Sequence, residues 1–488
     1  MLAHDTPSPC HERMRVRMDD MNERNLTDAD FPADALAALD GDGSILLTGR
    51  AGSGKTTLLR HWMRTRRPKG VYVTAATGIA ARNLADGGLE ATTLHAFLGV
   101  GGDTTVEGMA LAGERARGDR GDRRRRGRIA DLTTLVVDEA SMLRSDMADK
   151  TDAFLRAAKD RPDVPFGGVR LILTGDLRQL PPVVVHAERK AFDPDRNGEY
   201  GSPYFFDAPA IRDLMGAGRF HGVALKASHR QTDPDFVRAL DLIREGRYPT
   251  DVRRMLESRV SDSWPSDATV LCATRKRAFD INRSRIDLLP TDGHMAEAVL
   301  SPALKASDAK GRLQWHDLPV ERTMVWAVGE HVVMVGNDPD GRWANGSIGL
   351  IVGVDGGLPV IRIESTGCEH VVTTAEFPVD QPGADFDTEI GRYRPKSKRR
   401  GSVEQLPFIP GYALTVHRSQ GLTLDRVHVD LDDPGKHPFR RAGQLYVAVS
   451  RVPRLDGLTL SRAPLWDEVC GPDVCDPSVT EFLDGIAL

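Results

Sequence analysis

The sequence predicts an α/β fold built on doubly wound parallel sheets, and three observations carry that expectation. Short apolar, β-branched runs alternate with helix-patterned segments over residues 26–86 and again after 132. One such run leads directly into a glycine-rich loop that opens a helix. Another ends in an acidic pair, at the carboxyl end of a strand, where open α/β sheets hold their ligands.

Taken in order, residues 1–24 are polar and carry three further methionines, Met14, Met18 and Met21, and read as a mobile tail. Ser44–Thr48 reads as a buried strand, residues 57–66 as a helix, and Gly70–Ala75 as a second strand, with another helix beginning at Thr77. Residues 99–128 break the rhythm. They are rich in Gly, Arg and Asp, with a helical patch at Met109-Ala110-Leu111, and read as an insertion or flexible excursion. Strands resume at Leu132–Val137 and Val169–Thr174. Gly216-Ala217-Gly218 loosens the chain and places a boundary near 220, separating a first region, 25–220, from a second, 221–465. The second has strand runs at Ala268–Ala273 and Arg426–Leu431 but no glycine-rich loop of the first kind. Between about 325 and 405 short strands alternate with Asn-Gly, Asp-Gly and Gly-Gly turns, a spacing that predicts a small β-barrel inserted at about 345–408. Residues 466–488 are expected to be a C-terminal tail.

The glycine-rich loop reads Gly-Arg-Ala-Gly-Ser-Gly-Lys-Thr-Thr over 49–57, the spacing of a phosphate-binding loop. Its backbone amides would close on phosphates, making Gly49, Ala51, Gly52, Ser53, Gly54, Lys55, Thr56 and Thr57 candidate nucleotide ligands. Lys55 would reach the β- and γ-phosphates, and the Thr56 hydroxyl would hold Mg²⁺. The run ending at Val137 delivers Asp138 as a second Mg²⁺ ligand and Glu139 as the base that orients and deprotonates water. ATP and Mg²⁺ are therefore the expected cofactors.

Composition narrows the class. Hydrophobic residues make up 40% and charged residues 28%, as in a globular chain, and no apolar run reaches the length of a membrane span. Five cysteines in 488 residues do not make a disulfide framework and fit a reducing cytoplasm. The net charge of −5 does not advertise nucleic acid, yet bases cluster at Arg123–Arg126 with Arg128, and at Arg392, Arg394, Lys396, Lys398, Arg399 and Arg400. Each cluster could meet phosphates or be a solvated loop.

Six further segments complete a set: Thr92–Phe97, Gly175-Asp176 with Gln179–Pro182, Ser228–Gln231, Asn345–Gly349, Ala413–Leu424 (Ala-Leu-Thr-Val-His-Arg-Ser-Gln-Gly-Leu-Thr-Leu) and Gln444–Arg451 (Gln-Leu-Tyr-Val-Ala-Val-Ser-Arg). In this order they resemble the motifs of superfamily-one DNA helicases of the Pif-type and RecD-like branch, over about residues 40–460. The resemblance implies two RecA-like domains closing on ATP, an SH3-like barrel inserted in the second, and 5′→3′ movement on single-stranded DNA and single/double-strand junctions. By resemblance Gln179 senses the γ-phosphate, Arg230 and Arg451 supply transition-state charge from across the cleft, and Gly421 joins the nucleotide ligands. Thr77, His95, Phe97, His417, Ser419 and Gln420 resemble DNA-track residues, with core packing the plain alternative for Phe97. A monomer in a bacterial cytoplasm, at the nucleoid, is expected.

Two departures stand out. The family's N-terminal adenine-reading glutamine is missing from Asn25-Leu26-Thr27-Asp28-Ala29-Asp30, and the Arg-rich 99–128 insertion falls where the family carries its strand-separating wedge. A nucleotide-gated DNA switch without strand separation is the alternative that the second departure keeps open. A GTPase or small-molecule kinase would use the phosphate loop alone, and no Asn-Lys-x-Asp segment is present.

Overall fold

The computed structural model describes residues 26–486 except 87, 100–103, 119–122, 264, 266, 267, 287–292, 312, 314, 316, 317, 344, 365, 433–438 and 472. The tail expected over 1–24 lies outside the described residues. Six strands form a wholly parallel first sheet: β1 (Ser44–Gly49), β2 (Val71–Ala75), β3 (Ala91–Thr93), β4 (Thr134–Asp138), β5 (Arg170–Gly175) and β6 (Phe220–Leu225), in the order β3-β2-β4-β5-β1-β6.

Alternation along each strand feeds two cores. Ile45 and Leu47 of β1, Val73 and Val136 face helices α1 (Ala33–Asp40), α2 (Lys55–Arg66) and α3 (Gly78–Asp86) through Leu36, Leu39, Leu58, Leu59, Trp62 and Leu84. Leu46, Leu135, Val137, Leu171 and Leu173 point the other way. They meet α4 (Leu94–Leu98), α5 (Val106–Gly118), α6 (Arg123–Asp131), α7 (Ser145–Lys159) and α8 (Pro209–Gly216). With both faces covered, β1 and β4 are buried along their whole length, which explains their unbroken apolar character.

The 99–128 segment, expected as an insertion or flexible excursion, carries two helices among its described residues, α5 and the start of α6. Met109, Gly113 and Ala116 sit at helical spacing and are buried against α7. A Cβ on Gly113 would collide with the Phe154 carbonyl, so glycine sets how closely the two helices approach. Arg125 of α6 lies 6.0 Å from the Phe154 ring centroid and donates to the Leu98 carbonyl.

The first sheet runs through β6 to Leu225, past the boundary expected near 220, and the first helix of the second region is α9 (Pro234–Arg244). Asp233 caps its first turn, accepting from Asp235 N at 3.0 Å, and Pro234 stands where no amide is needed. Strand β7 (Thr269–Cys272) and helix α10 (Arg275–Ile286) follow, and the chain then leaves for an antiparallel insert. Its strands are β8 (His294–Glu297), β9 (Val299–Leu300), β10 (Thr323–Trp326), β11 (His331–Met334), β12 (Ile348–Asp355), β13 (Leu358–Ile363), β14 (Glu369–Val371), β15 (Ala375–Asp387), β16 (Arg392–Gln405) and β17 (Phe408–Pro410). Five of them pair as β14-β13-β12-β11-β17 over a core of Trp326, Met334, Ile351, Ile361 and Phe408, where the sequence suggested a barrel. The basic cluster at 392–400 lies in β16, the second strand of a hairpin 13 and 14 residues long on its two sides. Arg399 pairs with Asp380 and Lys396 with Asp385 across it, so acids on one strand answer bases on the other.

The chain returns as β18 (Ala413–Thr415), α11 (Val416–Ser419), β19 (Val427–Asp430), α12 (Gln444–Val449) and β20 (Leu458–Leu460), completing a parallel sheet β18-β7-β19-β20. The segment expected to be a C-terminal tail instead contains α13 (Pro477–Gly485). Its Val479, Phe482, Leu483 and Ile486 recur at helical spacing and enter the core of the first region, with Phe482 stacked on Phe206 at 4.3 Å.

Candidate functional site

The carboxyl ends of β1, β4 and β5 converge on the glycine-rich loop. Gly52 and Gly54 hold φ of +74° and +84°, which L side chains rarely adopt. A Cβ on Gly52 would collide with Arg230, so glycine lets the second region approach the loop. Helix α2 starts at Lys55, directly on the loop, which aims its free N-terminal amides at whatever the loop holds. Lys55 Nζ donates to Gly49 O at 2.7 Å, Arg50 O at 2.9 Å and Ser53 Oγ at 3.3 Å, folded back on its own loop. Desolvation in the cleft lowers its pKa, while Asp176, Glu139 and Asp138 pull it back up. Thr56 and Thr57 follow it in the first turn of α2.

Asp138 closes β4 with its carboxylate buried. Its Oδ1 accepts from the Thr174 hydroxyl and from Glu139 N at 2.9 Å. Glu139 sits at φ +54°, a left-handed conformation that turns its side chain out of the strand direction and into the cleft. Burial raises both carboxyl pKa values, and the Asp138 charge adds to the rise at Glu139. Gln179 is buried behind them, and a Cβ on Gly443 of the second region would collide with its carbonyl.

The second region supplies the opposite wall. Arg230 Nη1 donates to Ser450 O at 3.4 Å beside the loop. Arg451 is 1% exposed. Its guanidinium donates to Val447 O at 2.8 Å, Leu422 O at 3.2 Å and Ser419 O at 3.4 Å. Burial, with Arg230 nearby, depresses its pKa to about 9. Gly421, at φ +85°, accepts from Asn83 Nδ2 at 3.5 Å, and a Cβ there would lie 3.9 Å from Glu139 Oε1.

The candidate DNA-track residues differ in exposure. Thr77 caps the start of α3 through Ala80 N at 3.2 Å. His95 is exposed on α4, and His417 lies on α11, where burial and the charges of Arg441 and Arg275 push its pKa down to about 4. Phe97 packs on Tyr72 and the first core, so the plain alternative accounts for it. Ser419 and Gln420 are both buried. The Ser419 hydroxyl donates to Val416 O at 2.9 Å within its helix, and Gln420 Nε2 donates to Glu139 Oε2 at 3.0 Å. Gln420 thereby reaches the acidic pair of the nucleotide cleft.

Four contributors carry little or no sequence signal. Thr174 orients Asp138, and Tyr446, Arg244 and Asp241 bind the two regions together. Tyr446 stands inside a motif segment of the sequence and Thr174 at the end of a predicted strand, neither with a role expected of it.

The described chain matches the family model "PIF1-like helicase" over residues 34–254 and that of the UvrD-like helicase C-terminal domain over 410–452. It is 33% identical to the rat ATP-dependent DNA helicase PIF1 over 424 residues, 85% of this chain and 58% of the relative. The chain thus spans little more than half the length of that relative. To the Pif1 of Bdellovibrio bacteriovorus it is 29% identical, covering 88% of this chain and 86% of the relative. A crystal structure of Bacteroides Pif1 with ADP-AlF3 and single-stranded DNA superposes with a TM-score of 0.72 at 25% identity, over 94% of this chain and 96% of that one. These similarities support a Pif1-type superfamily-one helicase.

Proposed function

We propose that this protein is an ATP-dependent DNA helicase that moves 5′→3′ on single-stranded DNA and separates duplexes at single/double-strand junctions. One observation carries the reading. The cleft sets a phosphate loop and an acidic pair from one sheet against two arginines, Arg230 and Arg451, borne by the other region. Phosphoryl transfer is mainly positioning and charge neutralisation, and arginines from a separate body tie that chemistry to relative motion. The naming of Pif1 relatives as ATP-dependent DNA helicases, and a neighbour bound to single-stranded DNA, support the same reading.

The cradle fits a triphosphate and Mg²⁺. Lys55 satisfies its ammonium on loop carbonyls at the place a phosphate would take, and Asp138 offers a buried carboxylate beside it. Thr56 and Asp138 would hold Mg²⁺, which supplies charge neutralisation at the phosphates when bound. The loop amides from Gly49 to Thr57 and Lys55 bind and orient the phosphates. Glu139 accepts a proton from water as the water oxygen bonds to the γ-phosphorus. The bond from that phosphorus to the β–γ bridging oxygen breaks and its electrons leave with ADP. Gln420 steadies the Glu139 carboxylate, Gln179 orients the water, and Arg230 with Arg451 offsets the charge that builds on the transferred group. Thr77, His95 and His417 are the exposed or half-buried groups left for the strand, and they read no sequence. The fold positions these groups in one chain, so a monomer suffices for the cleft.

The test is the ATP hydrolysis rate with and without single-stranded DNA, beside Lys55→Ala. Strong stimulation by DNA that the variant loses is expected; a wild-type rate indifferent to DNA would break the reading.

A further inference from the structure

Helix α9 touches both working segments of the nucleotide cleft. Its buried face, Phe236, Leu240 and Ile243, is anchored in the core of the second region, which leaves Asp241 and Arg244 turned toward the first. Asp241 pairs with Arg50 of the phosphate loop, whose guanidinium also donates to Lys226 O at 2.6 Å. Arg244 grips Asp176 with two nitrogens. Nη2 lies 2.7 Å from Oδ1 and Nε 3.0 Å from Oδ2. Asp176 is fully buried and opens the segment that carries Gln179. Burial would raise its pKa, but Arg244, with Lys55 and the Arg178 amide, more than offsets burial and lowers it, so the carboxylate stays charged.

Tyr446 of α12 closes the circuit. Its hydroxyl accepts from Ala51 N, a phosphate-loop amide, at 2.9 Å and donates to Asp176 Oδ2 at 3.3 Å. A single buried hydroxyl thus joins the phosphate loop to the Gln179 segment, and α9 holds the same two segments by ion pairs on either side. The Arg244–Asp176 pair, whose carboxylate is buried, adds little to stability, but loss of Arg244 would leave that charge stranded.

We infer that Tyr446, Arg244 and Asp241 are positioning residues forming a relay that converts the nucleotide state of the phosphate loop into a set position of the second region. The inference rests on the reading of residues 49–57 as the nucleotide loop. When phosphates take the loop amides, the Ala51 N–H bond to Tyr446 is the contact in direct competition. Its loss or retention is felt at Asp176 and Arg244, and so along α9. None of the three residues touches the reacting atoms.

The test uses the full chain with a donor and an acceptor dye, one on each region, titrated with a non-hydrolysable ATP analogue with Mg²⁺. A fluorescent ADP analogue measures nucleotide affinity in parallel. Wild type is expected to change inter-region transfer on binding. Tyr446→Phe, which keeps the ring and removes both bonds, and Asp241→Asn, at a partly exposed site, are expected to bind nucleotide within about twofold of wild type yet lose at least about fivefold of that change. Two variants at separate sites guard against one that fails to fold. Variants that retain the full change overturn the relay. Variants whose affinity falls in step with the change overturn it too, because the residues then serve binding. A wild type that shows no nucleotide binding defeats the reading of the loop instead. DNA-stimulated turnover, measured alongside, separates failure of the relay from failure of the helicase assignment, since the dye readout needs no DNA.

Discussion

At the scale of single residues, the cleft is a set of desolvated charges whose neighbours decide their states. Glu139 is aimed by a left-handed backbone and held by Gln420. Glu139→Gln keeps the shape and the hydrogen bonding but removes the proton acceptor. Nucleotide binding should persist while turnover falls by about two orders of magnitude or more; turnover near the wild-type rate would remove Glu139 from the base role. His417 gives a second prediction. Burial, then Arg441 and Arg275, hold its pKa near about 4, against 6.5 for a free histidine. The unfolded chain therefore binds a proton between those values that the folded chain refuses. Its contribution to stability is present above pH 6.5 and is lost as pH falls through about 4. Following the imidazole by NMR should give a midpoint near 4; a midpoint close to 6.5 would mean an open, solvated ring. Most of these residues were legible because phosphate chemistry demands fixed types at fixed spacing. Gln420 was legible as part of a motif, but its bond to Glu139 spans 281 positions and has no sequence signal.

At the scale of elements, the strands of the first sheet were legible because full burial writes itself as continuous apolar runs. Helices α5 and α6 were not, beyond the short helical patch at Met109-Ala110-Leu111. Their Gly, Arg and Asp content looks like a loop, and only packing on α7 reveals that Gly113 is a contact surface and Arg125 a lid on Phe154. The corresponding prediction is Gly113→Val. A branched side chain there meets the Phe154 carbonyl and the Ala157 Cβ, so α5 must shift away from α7. A loss of about 1–3 kcal/mol in denaturant melting is expected, and an unchanged midpoint would show that α5 does not rest on α7. The hairpin β15–β16 was hidden for a related reason. Its strands are charged on both sides, and neutralisation across the hairpin, rather than an apolar stripe, pairs them.

At the scale of the molecule, contacts distant in sequence set how the two regions meet, and sequence says nothing about them. The link at Asp176 and Arg244 spans 68 positions and that at Ala51 and Tyr446 spans 395. A third link lies far from the cleft. The far end of the β15–β16 hairpin reaches the first region, where Glu199 N donates to Tyr393 O at 3.0 Å and Tyr393 N to Asn197 O at 2.9 Å. Arg394 fixes it there, with Glu107 of α5 at 2.8 Å, Glu199 at 3.1 Å and Asp387 at 3.3 Å. A cavity of about 330 Å³ lies beneath, lined by His95 and Lys150 from the first region and by Pro395 and Lys396 from the hairpin. The hairpin therefore straps one region to the other beside a candidate DNA contact. Arg394→Glu would set a fourth carboxylate among three and should release the strap. Hydrogen exchange at the Glu199 and Tyr393 amides should accelerate by about tenfold or more, as expected when a local opening loses its closing contacts. Exchange at the phosphate loop should stay as it was, because its ties run through α9 and Tyr446. Acceleration at both places would show that the strap and the cleft open as one unit, and no acceleration at either would show that backbone pairing alone holds the hairpin.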